Sequence, residues 1–356
     1  MTWPRASPQP FPSVARRCSE REDRNVLDLD LPLIAAPMAG GPSTPELVAA
    51  VARTGAGGFL AAGYLTTDAV AAQLRRADEL ARGRPFGINL FVVEEAPIDD
   101  AELQRFAAAL EPYACEVGVE LAEPRFDDDA FAAKLELVLE ERPAWVSFTF
   151  GCPDAEVFAA LRERDIVSAM TVTDIEEARL AADRGADVLV VQGPEAGGHR
   201  GTLRQDVWPS DTPLTDLLRD IDAIGLPMVA AGGIATRADV RRALDHGARA
   251  AQIGTALLLA DEAGTNPTHR AALRSDEFDT TVVTRAFTGR PARGLANAVA
   301  RLDAPAAYPQ LHTMTSAFRR AAASRGRADL THLWAGTRYR EAQSGPAAEI
   351  ISALVP

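Results

Sequence analysis

Cysteine is scarce in this chain. Among 356 residues there are three, Cys18, Cys115 and Cys152, too few for a disulfide framework, and no CxxC pair or Cys/His cluster has zinc spacing. That usage predicts a reducing, cytoplasmic compartment. No apolar run reaches the roughly 18 residues that a membrane span needs. Basic charge is in deficit: 37 Lys and Arg against 50 Asp and Glu leave a net charge of −13, which argues against nonspecific binding to nucleic acid or an anionic membrane. The N-terminus lacks the apolar core of a signal peptide. With Pro4, Pro8, Pro10, Pro12 and several arginines, residues 1–28 read as a flexible leader, with a short amphipathic targeting segment as the alternative.

What is present is ordinary globular composition, 47% hydrophobic and 24% charged, enough to bury a large core without staples. From Leu33 onward, short apolar runs alternate with helix-like segments. The runs are Leu33–Met38, Gly58–Ala62, Phe86–Val92, Trp145–Phe150, Val167–Val172, Val188–Gln192, Pro227–Ala231 and Ala250–Thr255. Each has strand length and little alternation, as a parallel sheet buried on both faces demands. Eight such runs separated by helices predict βαβ units closing into a TIM (β/α)8 barrel.

The junctions agree. Thr44-Pro45-Glu46 places a capping residue before a first-turn proline, Thr173–Glu176 has capping-box spacing, and Thr236 with Asp239 fits a third helix start. Gly55, Gly185 and Gly247 each end a helix before the next strand, where a left-handed conformation favours glycine. Two connections are long. One must hold an extra helix around Asp100–Leu110, and the other carries the glycine-rich stretch Gly193–Trp208. Long loops after barrel strands belong to active sites. The domain reading is a barrel over 29–260, a smaller helical cap on the substrate side over 261–345, and a tail over 346–356.

Four stretches carry candidate chemistry. The seventh run ends in Ala231-Gly232-Gly233-Ile234 and the eighth in Gln252-Ile253-Gly254-Thr255. Glycines let backbone N–H groups approach a phosphate, and barrels commonly bind phosphate after strands seven and eight; the bland alternative is that Gly232-Gly233 merely turns the chain. After the sixth run comes Gln192-Gly193-Pro194-Glu195-Ala196-Gly197-Gly198-His199-Arg200-Gly201. His199, held between glycines, is a candidate base near neutral pH, set against an idle loop histidine. His246, His269, His312 and His332 are read as having no role. In Ala35–Gly41, Pro37 and the glycines release the chain at the barrel mouth, where backbone groups face a flat cofactor. Asn89 is polar in an apolar strand and either ties the barrel or binds a ligand. Cys152 reads as a packing residue rather than a nucleophile. The acidic runs Asp127-Asp128-Asp129 and Glu140-Glu141 read as solvated faces. No motif supports a metal.

Taken in this order, these stretches resemble the nitronate monooxygenase family, formerly called 2-nitropropane dioxygenases. The resemblance covers most of residues 31–340 and includes Pro32–Leu47, Gly87–Phe91, Gln192–Gly201, Ala231–Ile234, Gln252–Thr255 and Gly289–Leu295. It implies an FMN-binding barrel with a smaller substrate-side region. It also implies FMN contacts from Met38, Asn89, Gln192, Gly197, Gly232, Gly233, Gln252, Ile253, Gly254 and Thr255, a catalytic His199, and a tyrosine near substrate at Tyr308. The segment Leu311–Thr315 departs from the family's usual Asn-containing stretch. The implied reaction is oxidation of an alkyl nitronate or nitroalkane by O2 to a carbonyl compound and nitrite, by a monomer or homodimer without nucleic-acid or membrane partners. Two other readings stand beside it: an FMN barrel reducing quinones or enoyl thioesters with NAD(P)H, and a noncatalytic flavin-binding protein.

Overall fold

The computed structural model describes residues 27–356, so nearly all of the expected leader, with Cys18, lies outside the described residues. Eight parallel strands close a barrel. They are β1 (Leu33–Ala35), β2 (Gly57–Ala61), β3 (Gly87–Phe91), β4 (Trp145–Thr149), β5 (Val167–Val172), β6 (Val188–Gln192), β8 (Met228–Ala231) and β9 (Ala248–Ile253). All eight predicted runs are there. The barrel shuts where β1 pairs with β9, Leu33 opposite Ala251 and Ala35 opposite Ile253. The strands are buried along almost their whole length, because helices cover the outside and side chains fill the inside.

The outer helices are α1 (Pro45–Ala52), α2 (Thr67–Ala81), α4 (Phe131–Glu141), α5 (Ala155–Arg162), α6 (Ile175–Arg184), α7 (Leu214–Asp222) and α8 (Arg237–Asp245). Thr44 caps α1 by accepting from the Leu47 N–H, with Pro45 in the first turn. Thr236 and Asp239 form a reciprocal capping box on α8. On α6 the cap sits one residue later than the sequence suggested. Asp174 accepts from the Glu177 N–H, while Glu177 Oε2 takes the Thr173 N–H and hydroxyl at 2.6 and 2.9 Å.

The cap has helices, α9 (Pro267–Arg274) and α10 (Gln310–Ser324), but it also has strands that the sequence did not announce. β10 (Thr281–Thr284) and β11 (Ala292–Leu295) pair antiparallel, and β11 also takes up a two-residue strand, β7 (Gly198–His199), from the glycine-rich loop. The extra helix between β3 and β4, α3 (Asp100–Glu116), packs into the cap. Its Leu103, Phe106 and Leu110 share a hydrophobic cluster with Phe287, Leu311, Met314 and Phe318. The expected tail is instead a helix, α11 (Ala347–Leu354), whose Ile350, Ile351 and Leu354 join the barrel's main core. Among the described residues no helix is long and apolar enough to cross a membrane.

Candidate active site

A cleft opens where the C-terminal ends of the strands meet the cap, enclosing about 1570 Å³ of space with its open mouth included. The barrel contributes Ala36–Ala39, Asn89, Thr149, Gln192, Ala231–Ala235, Gln252, Gly254 and Thr255; the cap contributes His269, Arg319, His332, Trp334 and Gly336. This is the end of an α/β barrel where loop residues do chemistry.

One end is built of backbone. Gly233 sits at φ +67°, and a Cβ there would meet Glu195 Cβ at 2.9 Å, so the turn needs glycine twice over, for conformation and for space. Among the described residues the N–H groups of Gly233, Ile234 and Gly254 donate to no protein acceptor. Unspent donors in a glycine turn make a cradle for an oxyanion. The N-terminus of α8 itself is already occupied: Asp239 Oδ2 accepts from the Ala235 and Thr236 N–H groups at 3.2 and 2.9 Å. The cradle therefore belongs to the turns, not to the helix end. Gly197 is pressed against the cap, and a Cβ there would lie 2.4 Å from Gly336 N.

The middle is polar on one side. Asn89 Nδ2 donates to Ser147 O, Ser147 Oγ and Thr149 Oγ1 at 3.2, 2.9 and 3.0 Å. Asn89 thus ties the barrel and also faces the cleft, since its Oδ1 has no described partner. Gln192 is spent on the loop: Nε2 donates to the His199 carbonyl at 3.0 Å, and Oε1 accepts from the Gly201 N–H at 2.8 Å. It clamps the segment that carries His199.

His199 is pinned from three directions. Its backbone pairs opposite Ala292 of β11. Its Nε2 lies 2.9 Å from Thr288 Oγ1. Its ring is edge-on to Phe150 and tilted against Trp334, with centroids 5.3 and 5.5 Å away. Nδ1 is left for the cleft. Burial, then the charges of Arg290 and Arg319, pushes the imidazole down to about 3, so it is neutral at neutral pH. The Thr288 hydroxyl can donate to Nε2 or accept from it, so either tautomer is available.

The structure corrects two expectations. His269, His312 and His332 are not idle: His269 and His332 line the cleft, and His312 stacks flat on the cleft residue Tyr64 at 3.9 Å and 10°. Burial lowers all three, His269 to about 4. His246 alone keeps its surface position. Nor is Asp129 a solvated acid. Its Oδ1 accepts from the Tyr64 N–H at 2.8 Å, and Oδ2 lies 2.8 Å from Nζ of the fully buried Lys134, the only lysine in the chain. Lys134 Nζ also donates to the Ala62 carbonyl at 3.0 Å. The pair holds Tyr64, a non-glycine residue at φ +69°, in the cleft wall.

Met38, Asn89, Gln192, Gly197, His199, Gly232, Gly233, Gln252, Gly254 and Thr255 come together on the cleft. Ile253 does not reach the cleft surface; it is buried in the barrel core. Tyr308 lies one layer back, packed with Phe91 and Phe150, its ring 6.3 Å from that of His199. Cys152 is a buried packing residue whose thiol burial pushes up to about 11. Thr288, Arg290 and Arg319 were missed: Arg290 falls in the Gly289–Leu295 stretch that carries the resemblance, but nothing in that stretch marks its role, and no local motif marks Thr288 or Arg319. Among the described residues no group of three or more His, Cys, Asp or Glu is placed to hold a metal.

The chain is similar to known proteins along nearly its whole length. A family model described as nitronate monooxygenase matches residues 25–356. A probable nitronate monooxygenase of Staphylococcus saprophyticus is 35% identical, over 93% of this chain and 95% of its own length. The nitronate monooxygenase of Paraburkholderia phytofirmans is 36% identical, over 92% of each. The crystal structure of nitroalkane oxidase from Streptomyces ansochromogenes superimposes with a TM-score of 0.88 at 42% identity, covering 93% of this chain and 96% of that one. FabK from Thermotoga maritima, at 23% identity and a TM-score of 0.70, shares the fold. With a family model spanning nearly the whole chain and relatives matched from end to end, the chain is an oxidoreductase that belongs to the nitronate monooxygenase family.

Proposed function

We propose that the cleft binds FMN and that the enzyme oxidises alkyl nitronates with molecular oxygen, giving a carbonyl compound and nitrite. The observation that carries this reading is the pairing of an open backbone cradle at Gly233, Ile234 and Gly254 with a half-buried, neutral His199 on the same cleft. The residues fit FMN. The glycine turns would hold its phosphate, Asn89 Oδ1 would accept from a ring N–H, and Met38 with the Ala36–Ala39 backbone would face the ring. Bound flavin supplies the electron acceptor, while the protein supplies position and electrostatics.

His199 acts on the substrate in one of two ways. Toward a nitronate, already an anion, the neutral imidazole donates an N–H to a nitro oxygen. Toward a neutral nitroalkane it takes the α-proton at Nδ1. An imidazole at about 3 is a weak base for that task, but the product of the transfer is an anion. At about 4 Å and an effective dielectric of about 20, an anion stabilises the imidazolium by about 4 kcal/mol, which raises the imidazole from its lowered value and strengthens it as a base. The aromatic walls of Phe91, Phe150 and Trp334 exclude water and keep that attraction strong.

The test compares ethylnitronate with nitroethane, following oxygen uptake and nitrite release in the wild type and His199→Asn. Asn keeps an N–H donor and loses the base, so kcat/KM for nitroethane falls further than for ethylnitronate, by about 100-fold. Equal losses on both substrates remove the base from the account. A flavin-loaded wild type that leaves ethylnitronate untouched overturns the function.

A further inference from the structure

Arg319 and Arg290 are both buried beside the His199 pocket, 6% and 4% exposed, and among the described residues neither has a carboxylate within 4.0 Å. Burial lowers each guanidinium only to about 10, so both are charged at neutral pH. Arg290 spends Nη2 on the carbonyls of Phe150, Thr202 and Leu203, and its guanidinium lies over the Phe150 ring at 4.3 Å. The Glu177 carboxylate acts on it from further away. Arg319 is different because it lines the cleft itself. Its Nε donates to Thr315 Oγ1 at 3.1 Å. Its Nη2 donates to His312 Nδ1 at 2.9 Å and to the His312 carbonyl at 3.2 Å. Nη1 has no partner among the described residues.

A buried cation without a counter-ion costs several kcal/mol. Such a charge is retained where a ligand supplies the opposite one, and its field already reaches the site, since Arg290 and Arg319 both disfavour protonation of His199. The groups around Arg319 belong to α10 and to Tyr64 after β2, not to the glycine turns of the phosphate cradle.

We propose that Arg319 is the anion-holding residue of the substrate pocket: Nη1 donates to a nitro oxygen of the bound nitronate, and its charge makes the site prefer the anionic nitronate to the neutral nitroalkane. The inference rests on the function proposed above for the substrate's identity, but the oxyanion site itself is testable apart from turnover. His199, Tyr64, Phe150 and Trp334 then surround an anion whose alkyl tail lies against aromatic rings. His312, stacked on Tyr64 and accepting from Nη2, positions the guanidinium.

Nitrate, a planar oxyanion that cannot be oxidised, is the probe. It is titrated calorimetrically into the flavin-loaded full-length wild type, Arg319→Met, Arg319→Gln and Arg319→Lys. Loss of one charge-assisted hydrogen bond weakens nitrate by about 10- to 100-fold in the Met and Gln variants. Lys, which keeps the charge, retains affinity to within about fivefold of wild type. The ratio of KM for ethylnitronate to KM for nitroethane rises in Met and Gln by the same factor as the nitrate Kd. A wild type that does not bind nitrate, or Met or Gln variants that keep flavin and wild-type nitrate affinity, overturns the proposal. Should Arg319→Met fail to fold, the Gln and Lys pair decides it, because equal nitrate affinity in those two removes the role of charge. Arg319-dependent nitrate binding in an enzyme that does not oxidise nitronates leaves the anion site standing and the function refuted.

Discussion

Acid should destabilise this protein well before its carboxylates are neutralised, and His199 should account for a measurable part of the loss. An unfolded histidine takes up its proton near the ordinary value of 6.5, whereas in the fold His199 does so at about 3 and His269 at about 4. The unfolded chain therefore binds more protons between these values, and stability falls as pH falls from 6.5 toward 3. From pH 7 to pH 5 each group contributes RT·ln[(1 + 10^1.5)/(1 + 10^−0.5)], about 2 kcal/mol, and the two together about 4 kcal/mol. His312 and His332 are shifted in the same direction and add to the loss. Asp129 and Glu177 act oppositely: burial raises both carboxyls, so their protonation in the fold returns stability as pH falls. A difference between variants cancels that opposing contribution. Urea unfolding of wild type and His199→Asn, followed by tryptophan fluorescence at pH 7 and pH 5, gives the four free energies. The drop should be about 2 kcal/mol smaller in His199→Asn. An identical drop in both proteins would refute the assignment of a neutral imidazole at 199.

Two further outcomes follow from the cleft walls. Lys134→Met leaves Asp129 charged and buried beneath Tyr64, and should cost about 3–5 kcal/mol in urea unfolding, with Lys134→Met/Asp129→Asn recovering part of it because Asn still accepts from the Tyr64 N–H. If the double variant is no more stable than the single one, the pair does not act as described. Gly233→Ala adds a Cβ against Glu195 at φ +67° and should cost about 1–2 kcal/mol and reduce FMN retained after dialysis. Gly83→Ala suffers similar backbone strain at φ +80° with nothing within 4 Å of the new Cβ; it should lose stability without losing FMN, and equal FMN loss in both would dissolve the link to the cradle.

The barrel was legible because its signal is local. A strand buried on both faces must be a continuous apolar run, and all eight runs became strands. Caps such as Thr44 and Thr236 are equally local. The glycine turns were legible for the same reason, since backbone donors are exposed only where side chains are absent. What escaped depends on residues far apart in the chain. β7 exists only because β11 lies beside it, nearly a hundred residues on, and Thr284–Leu295 shows no alternation that predicts pairing with Gly198-His199. Thr288 is 89 positions from the imidazole it holds. Asp129 looked solvated because it follows two exposed acids, while its partners are Tyr64 and Lys134. Arg319 sits next to Arg320 on α10 and is distinguished from it only by burial. His269, His312 and His332 lack flanking glycines, the cue that singled out His199; His269 and His332 reach the cleft through helix and cap packing instead, and His312 stands behind Tyr64.

The most direct test of the account is an anaerobic absorbance titration of the purified protein with ethylnitronate. The protein should carry a bound oxidised flavin whose visible spectrum bleaches as nitronate is added and recovers when oxygen is admitted, with release of nitrite. A bound flavin that ignores nitronate but bleaches with NADH would contradict the proposed substrate, and a protein that neither carries nor takes up FMN would contradict the cradle at Gly233, Ile234 and Gly254.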